Sequence, residues 1–319
     1  RASASLAVPL VQALRAQVGA EFAEFVHLGA TSQDAIDTAF VLQTSEVLAL
    51  IDDELLRLVN HLLALADAHA ATPLLARTLM QPALVTSLRL KLLEWLQPLL
   101  RCIAALRERA GAALHLQLGG AAGTLAVYGE RADTVLANMS RELDLPLSDG
   151  PWHVQRDALV RLGTELGVLC GCLGKIARDV SLYAQVEVGE MSELEAEGRG
   201  ASSAMPHKRN PVGALQALAA AQRAPQRVAA LLACMVQEQE RALGGWQAEL
   251  AEWSSLLGIT HGAARALAEA HLSVHPERMR TNIKHGLGIS KGIAAAAAAA
   301  DARAAPLLAQ AHHDLEALQ

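Results

Sequence analysis

Residues 159–183 read LVRLGTELGVLCGCLGKIARDVSLY, and their apolar positions decide the fold. Leu159, Leu162, Leu166, Leu169, Leu173, Ile176, Val180 and Tyr183 recur at alternating steps of three and four, which lays one apolar stripe along a helix. Gly163, Gly167 and Gly171 stand at i, i+4 and i+8 in the same stretch. They offer a flat strip where a second helix can approach closely, at some cost in helix propensity. Followed outward to where the pattern fades, the stripe predicts a helix from about Trp152 to Met191.

The same spacing returns at Leu48, Ile51, Leu55, Leu58, Leu62 and Leu65, within a predicted helix from about Ala35 to Ala71. At 1.5 Å per residue such a helix is on the order of 55 Å long. Further helices are predicted over Ala7 to Val18, Pro82 to Ala112 with Pro98 as a kink or restart, Val212 to Leu243, and Ala248 to Leu272. Strand alternation is essentially absent, and glycine-rich junctions fall at 119–123, 198–200 and 244–245. The expectation is an all-α, long-helix bundle. Helices longer than the globular norm imply apolar stripes shared between subunits, hence a homo-oligomer. The chain opens at Arg1 inside a helical pattern, and the pattern weakens after His275-Pro276. The expected organisation is a central bundle domain over 1–272 lacking its N-terminal part, with a small, truncated C-terminal helical domain over 273–319.

With 319 residues and 52% hydrophobic content the chain can bury a large core. Its net charge of −6, with acids and bases interspersed, predicts neither nucleic acid nor an anionic membrane as partner. Cys102, Cys170, Cys172 and Cys234 lack metal-ligand spacing, and Cys170 and Cys172, two apart on a helix, point to different sides. Buried reduced thiols are expected. No signal peptide is visible, and the longest uncharged stretch, 110–129, carries His115, Gln117 and five glycines, a poor membrane span. A cytoplasmic location is the expectation.

Three segments carry chemistry. Residues 200–211, GASSAMPHKRNP, gather two hydroxyls (Ser202, Ser203), His207, Lys208, Arg209 and the amide of Asn210 into one loop that also holds Pro206 and Pro211. That set suits a polycarboxylate. In residues 26–34, VHLGATSQD, Thr31, Ser32 and Gln33 stand just before the long helix, where hydroxyls and free backbone N–H groups make an anion seat. A simple N-cap by Ser32 or Asp34 is the plainer reading, and the two can coexist. Residues 76–83, ARTLMQPA, read as a loop entering a helix.

These segments resemble the conserved regions of the fumarase/aspartase superfamily, whose members abstract a proton alpha to a carboxylate and break or make the bond at the beta carbon. Residues 117–124, 151–157 and 237–249 extend the resemblance over nearly all of Val8 to Asn282. It implies a homotetramer with sites built from more than one subunit, acting on a small polycarboxylate without metal or organic cofactor. By position it makes Ser202 the proton carrier, with Lys208 and Asn210 holding the carboxylate whose aci form accumulates charge. It assigns substrate contacts to His27, Thr31, Ser32, Arg77, Thr78, Gln155, Ser203, Met205 and His207, although a structural ion pair would serve Arg77 equally well. Gly198 and Gly200 beside Glu195 and Glu197 suggest a loop that closes over substrate.

One departure is informative. The superfamily normally places a histidine, the acid for the leaving group, at the position of Leu79, paired with a glutamate at the position of Leu215. Here both are leucine. Expelling hydroxide or an amine requires proton donation, worth roughly 10²- to 10⁴-fold. A carboxylate, whose conjugate acid has a pKa of about 4, leaves or attacks unaided. The double loss therefore fits the lactonising branch, which converts 3-carboxy-cis,cis-muconate to 4-carboxymuconolactone in the β-ketoadipate route of aromatic catabolism. This branch usually has tryptophan at position 79 and histidines at the positions of Gln239 and Gln247, departures that bear on substrate preference. The alternatives are an adenylosuccinate-type lyase, against which the missing histidine counts, and a non-catalytic scaffold, against which Ser202, Lys208 and Asn210 count.

Overall fold

Long helices carry the fold, and apolar spacing explains where they run. The computed structural model describes residues 5–194, 200–202, 204, 205 and 208–319. Helix α1 (Ala7–Gln17) and the short α2 (Ala20–Ala23) precede α3 (Ser32–Ala68). In α3, Ile51, Leu55, Leu58 and Leu62 are buried. Helix α4 (Leu88–Ala113) keeps Pro98 inside it, and α5 (Ala132–Leu143) leads to α6 (Asp157–Tyr183). The α6 stripe from Leu159 to Val180 is buried throughout, as its spacing predicts. Helices α7 (Val212–Ala233), α8 (Gly245–Ala268), α9 (Pro276–Leu287) and α10 (Ile293–Leu318) complete the set. No helix among the described residues is long and apolar enough to cross a membrane.

Two expectations are corrected. Helix α7 ends at Ala233 rather than near Leu243, and the polar run after it turns back on itself, Glu238 accepting a hydrogen bond from the Leu243 N–H at 2.7 Å. Residues 76–83 are a β-hairpin rather than a loop entering a helix. Strand β1 (Pro73–Thr78) pairs antiparallel with β2 (Gln81–Ser87) across a two-residue turn, Leu79 and Met80, both at positive φ (49° and 67°). Such turns favour Asn-Gly; a Leu-Met pair gives no warning of one. A register shift between Ala76 and Arg77 takes up the extra residue next to Pro82, which fits a proline that cannot donate to the ladder. Ser87 then caps α4, its hydroxyl accepting from the Leu90 N–H at 3.1 Å. A second short ladder pairs β3 (Met191–Glu193) with β4 (Leu272–Val274).

The chain divides into two compact units, residues 1–48, 108–164 and 228–254, and residues 49–107, 165–227 and 255–319. In the first, Phe40 packs against Trp253 with ring centroids 5.4 Å apart, and Gly163 leaves room for Leu231 and Trp253. The second buries Trp95, Leu96, Leu99 and Ile103 of α4 and Leu169, Leu173 and Ile176 of α6. Of the glycine strip, Gly171 meets nothing within 4 Å; the close approach in this unit is instead at Gly174, where a Cβ would lie 2.4 Å from the Ala221 Cβ of α7. The hairpin packs on α9 and α10 around Leu75, Val85, Ile283 and Ala297, so the alanine-rich start of α10 lets that helix lie close to the sheet. Cys170 and Cys172 do point apart: Cys170 Sγ lies 3.2 Å from the Thr260 hydroxyl, and Cys172 Sγ 3.9 Å from Cys102 Sγ.

Candidate active site

The loop before α7 is closed at its base by backbone. Ala201 and Arg209 form an antiparallel bridge, and Gly200 O accepts from the Asn210 N–H at 2.9 Å and from Asn210 Nδ2 at 3.3 Å. Gly200 sits at φ 69°, and a Cβ there would lie 2.6 Å from the Asn210 carbonyl oxygen, so glycine is required by both conformation and space. Inside this ring the Ser202 hydroxyl oxygen accepts hydrogen bonds from the backbone N–H groups of Ala204 (3.4 Å) and Met205 (3.2 Å). Two donors on one oxygen favour its anionic form, the arrangement of an oxyanion hole. The N-terminal N–H groups of α7 serve another group: Glu193 accepts from Gly213 (3.0 Å) and Ala214 (2.8 Å). Met205 and Lys208 are exposed, with the Lys208 N–H donating to Met205 O at 3.0 Å. Ser203, His207 and the loop residues Glu195, Glu197 and Gly198 lie outside the described residues.

In the first unit, Asp34 organises the segment before α3. Its buried carboxylate accepts from the N–H groups of Thr31 (2.8 Å), Gly119 (3.0 Å) and Gly120 (3.0 Å), and His153 Nε2 lies 2.6 Å from Oδ1. Asp34 lies inside α3 and accepts from the N–H of Thr31, the residue before the helix, so it closes the helix start from within rather than as its N-cap. It leaves the Thr31 hydroxyl for another partner, Arg241, whose Nη1 donates to Thr31 Oγ1 at 3.0 Å while Nη2 donates to the carbonyls of Gly120 (2.5 Å) and Ala121 (3.1 Å). Ser32 is the first residue of α3. His27, at φ 62°, borders a cavity of about 430 Å³ with Phe25, Asp34, Thr38 and Tyr128. Gln155 borders a different one, of about 250 Å³, with His115, Asp149 and Trp152, and its amide donates to Pro151 O at 3.2 Å.

Beneath these groups lies a buried ionic cluster. Asp37 accepts from Arg156 Nη1 (2.8 Å), Trp246 Nε1 (2.9 Å) and Gln33 Nε2 (3.1 Å), and Arg156 Nη2 also donates to Glu249. Burial pushes the Glu249 carboxyl above its usual range, outweighing the opposing pull of Arg156.

The hairpin belongs to the second unit. Arg77 makes a bidentate pair with the fully buried Glu190, both contacts at 2.8 Å, and Asn282 Nδ2 donates to the same carboxylate at 2.8 Å. The ion-pair alternative for Arg77 is thus realised, and the side chain still lines, with Thr78, Met80, Lys91, Asp179 and Tyr183, a cavity of about 500 Å³. Ser202, Lys208 and Asn210 do not border that cavity. Leu79, at the hairpin tip, is 96% exposed, and Leu215, in the first turns of α7, is 60% exposed. Among the described residues no group of three or more His, Cys, Asp or Glu side chains could hold a metal ion.

The structure therefore brings Ser202, Met205, Lys208 and Asn210 together in one loop, and Thr31 and Ser32 together beside Arg241. Within the first unit, Gln155 and His27 border different cavities. Arg241 and the Asp37–Arg156–Glu249 cluster were not singled out from sequence, and Asp34 was read only as a helix cap. For Arg156, Arg241 and Glu249 the signal available was their position in the segments 151–157 and 237–249, where a charged residue in a polar run reads as a solvated face; Asp37 lies three residues past the segment 26–34.

Comparison with known proteins follows the same segments. The lyase family pattern matches residues 6–225. The 3-carboxy-cis,cis-muconate cycloisomerase of Pseudomonas aeruginosa is 47% identical over 97% of this chain and 68% of its own length. Nitrosuccinate lyase of Streptomyces davaonensis is 40% identical over 98% of this chain and 70% of its own. The crystal structure of the 3-carboxy-cis,cis-muconate lactonizing enzyme from Pseudomonas putida superposes with a TM-score of 0.83 at 41% identity, covering 99% of this chain and 70% of that one. With the serine loop, the Thr31–Ser32 helix start and the long-helix bundle all in place, the chain belongs to the lyase family of the fumarase/aspartase superfamily, alongside the 3-carboxy-cis,cis-muconate cycloisomerases.

Proposed function

We propose that the protein cyclises 3-carboxy-cis,cis-muconate to 4-carboxymuconolactone. One carboxylate of the triacid attacks the activated double bond, and charge moves into a second carboxylate as its aci form. Lys208 and Asn210 hold that group, and Ser202 delivers the proton to the alpha carbon. The addition is redox-neutral and moves a single proton, so it calls for no metal or organic cofactor. Water is not a reactant.

The observation that carries this reading is the pair Leu79 and Leu215, aliphatic and exposed where related enzymes place the acid that protonates a leaving group. A reaction whose entering or leaving group is a carboxylate has no use for that acid. The donors on Ser202 Oγ support its role as proton carrier. His27, Thr31, Ser32, Arg77, Thr78, Gln155, Ser203, Met205 and His207 belong to the same reading as substrate contacts. So does a cytoplasmic homotetramer, with each site completed by more than one subunit, in the β-ketoadipate route of aromatic catabolism. The division into a bundle domain over 1–272 and a small domain from 273 is part of it too. A second reading deserves a place in the test because of the 40%-identical nitrosuccinate lyase: nitrite is also a stable anion that leaves without a proton, so the two leucines would suit it as well.

The experiment follows loss of diene absorbance with 3-carboxy-cis,cis-muconate, beside parallel assays with nitrosuccinate and adenylosuccinate. Wild type is compared with Ser202→Ala and Ser203→Ala. Turnover of the muconate alone, lost in Ser202→Ala and present with a raised KM in Ser203→Ala, is the expected result. Preferred turnover of either succinate, or a Ser202→Ala variant as active as wild type, would overturn the proposal.

A further inference from the structure

Outside the candidate site, two thiols from different helices face each other. Cys102 of α4 and Cys172 of α6 place their sulfurs 3.9 Å apart, with the Cys102 thiol donating toward Cys172. Both are free, both lie in the second unit, and they differ in access: Cys102 is buried whereas Cys172 is only partly covered. The hydrogen bond from Cys102, reinforced by nearby Arg101, pulls the Cys172 thiol down to about 7, and the same bond together with burial pushes Cys102 up. The pair is thus asymmetric, an accessible thiolate backed by a protonated, sequestered partner. That division of labour separates a nucleophilic from a resolving cysteine. Cys170, two residues away on the other side of α6, has no second thiol; it sits against Thr260, and burial pushes it up.

We propose that Cys102 and Cys172 form a peroxide-reactive dithiol, which hydrogen peroxide closes to a disulfide joining α4 to α6. The Cys172 thiolate attacks one peroxide oxygen, breaking the O–O bond and leaving Cys172 sulfenic acid; the departing hydroxide takes up a proton to become water. The Cys102 sulfur then attacks the Cys172 sulfur, its proton leaving with the hydroxyl as a second water. Two thiols are oxidised and one peroxide is reduced. Closure needs the sulfurs to move from 3.9 Å to bonding distance, about 2.0 Å. The site involves none of the groups assigned to the lactonisation.

The test is peptide mapping of the intact, reduced protein after treatment with hydrogen peroxide, without reductant in the digest. The expected product is the Cys102–Cys172 linked peptide, with Cys170 and Cys234 still alkylatable. Its rate of formation should rise with pH around a midpoint near 7, below that of an ordinary thiol. Removing the resolving thiol in Cys102→Ser should halt the reaction at Cys172 sulfenic acid or carry it on to the sulfinic acid, whereas Cys172→Ser should leave Cys102 unoxidised. Wild-type protein that gives no linked peptide, or that links Cys172 to a cysteine of another chain, would overturn the proposal. The wild-type map decides this even if a variant folds poorly.

Discussion

A serine hydroxyl is a poor acid, so the role proposed for Ser202 rests on the donors around its oxygen. The N–H groups of Ala204 and Met205 occupy it as acceptor, which spends the loop's backbone on charge stabilisation and leaves the hydroxyl proton free to be aimed at substrate. Arg241 performs a comparable task in the first unit, joining the Thr31 hydroxyl to the carbonyls of Gly120 and Ala121. Replacing it by methionine should leave three acceptors without their donor, lowering stability by about 1–3 kcal/mol. It should also raise KM for the muconate, with a smaller effect on kcat, in steady-state kinetics. The Asp37–Arg156–Glu249 cluster gives a sharper, pH-dependent expectation. Asp37 holds several donors, so Asp37→Asn should cost about 3–5 kcal/mol. Glu249 is different because burial raises its pKa. A carboxyl raised in the folded state favours folding at low pH and loses that advantage as pH climbs from its unfolded value, about 4.3, through the raised one. Urea denaturation at successive pH values should therefore show wild type losing ground to Glu249→Gln as pH approaches neutrality. A gap that stays constant would mean that Arg156 neutralises the cost. From sequence, Thr31 and Ser32 were legible because they precede a long helix. Arg241 was not, since a charge among Gln237, Glu238, Gln239 and Glu240 resembles a solvated run.

At the scale of elements, period is what sequence reveals best. The three-and-four spacing located α3 and α6 and their buried faces, because a helix in a bundle must keep its apolar residues on one side. The hairpin escaped because its turn depends on positive φ at Leu79 and Met80, which neither side chain advertises. The glycines of α6 were read as one strip, yet the tight crossing in the second unit falls at Gly174, where side-chain room at Ala221 decides the contact. Gly174→Ala should force α6 from α7 and cost about 1–3 kcal/mol, despite alanine's better helix propensity. Adding Ala221→Gly should recover most of that loss in thermal denaturation. A single variant more stable than wild type would show that the helices have room to part.

For the molecule as a whole, the residues assigned to substrate fall in groups that one chain keeps in separate units: Thr31, Ser32 and Gln155 in one, Arg77, Thr78 and the serine loop in the other. If subunits complete one another's sites, mixing inactive Ser202→Ala chains with Arg241→Met chains of raised KM should give a fraction of activity with the wild-type KM, because some sites then receive both intact groups. Dissociation and reassociation of the two variants, followed by the diene assay, checks this; no recovery would place all groups of a site on one chain. The backbone origin of the donors to Ser202 has a further consequence. No single side-chain replacement can delete an amide N–H except by proline, so the acidity of the proposed proton carrier is buffered against mutational change. Exposed residues such as Leu79 and Leu215 can then diverge while the proposed proton-transfer step is inherited intact, and new substrates become reachable without reinventing it.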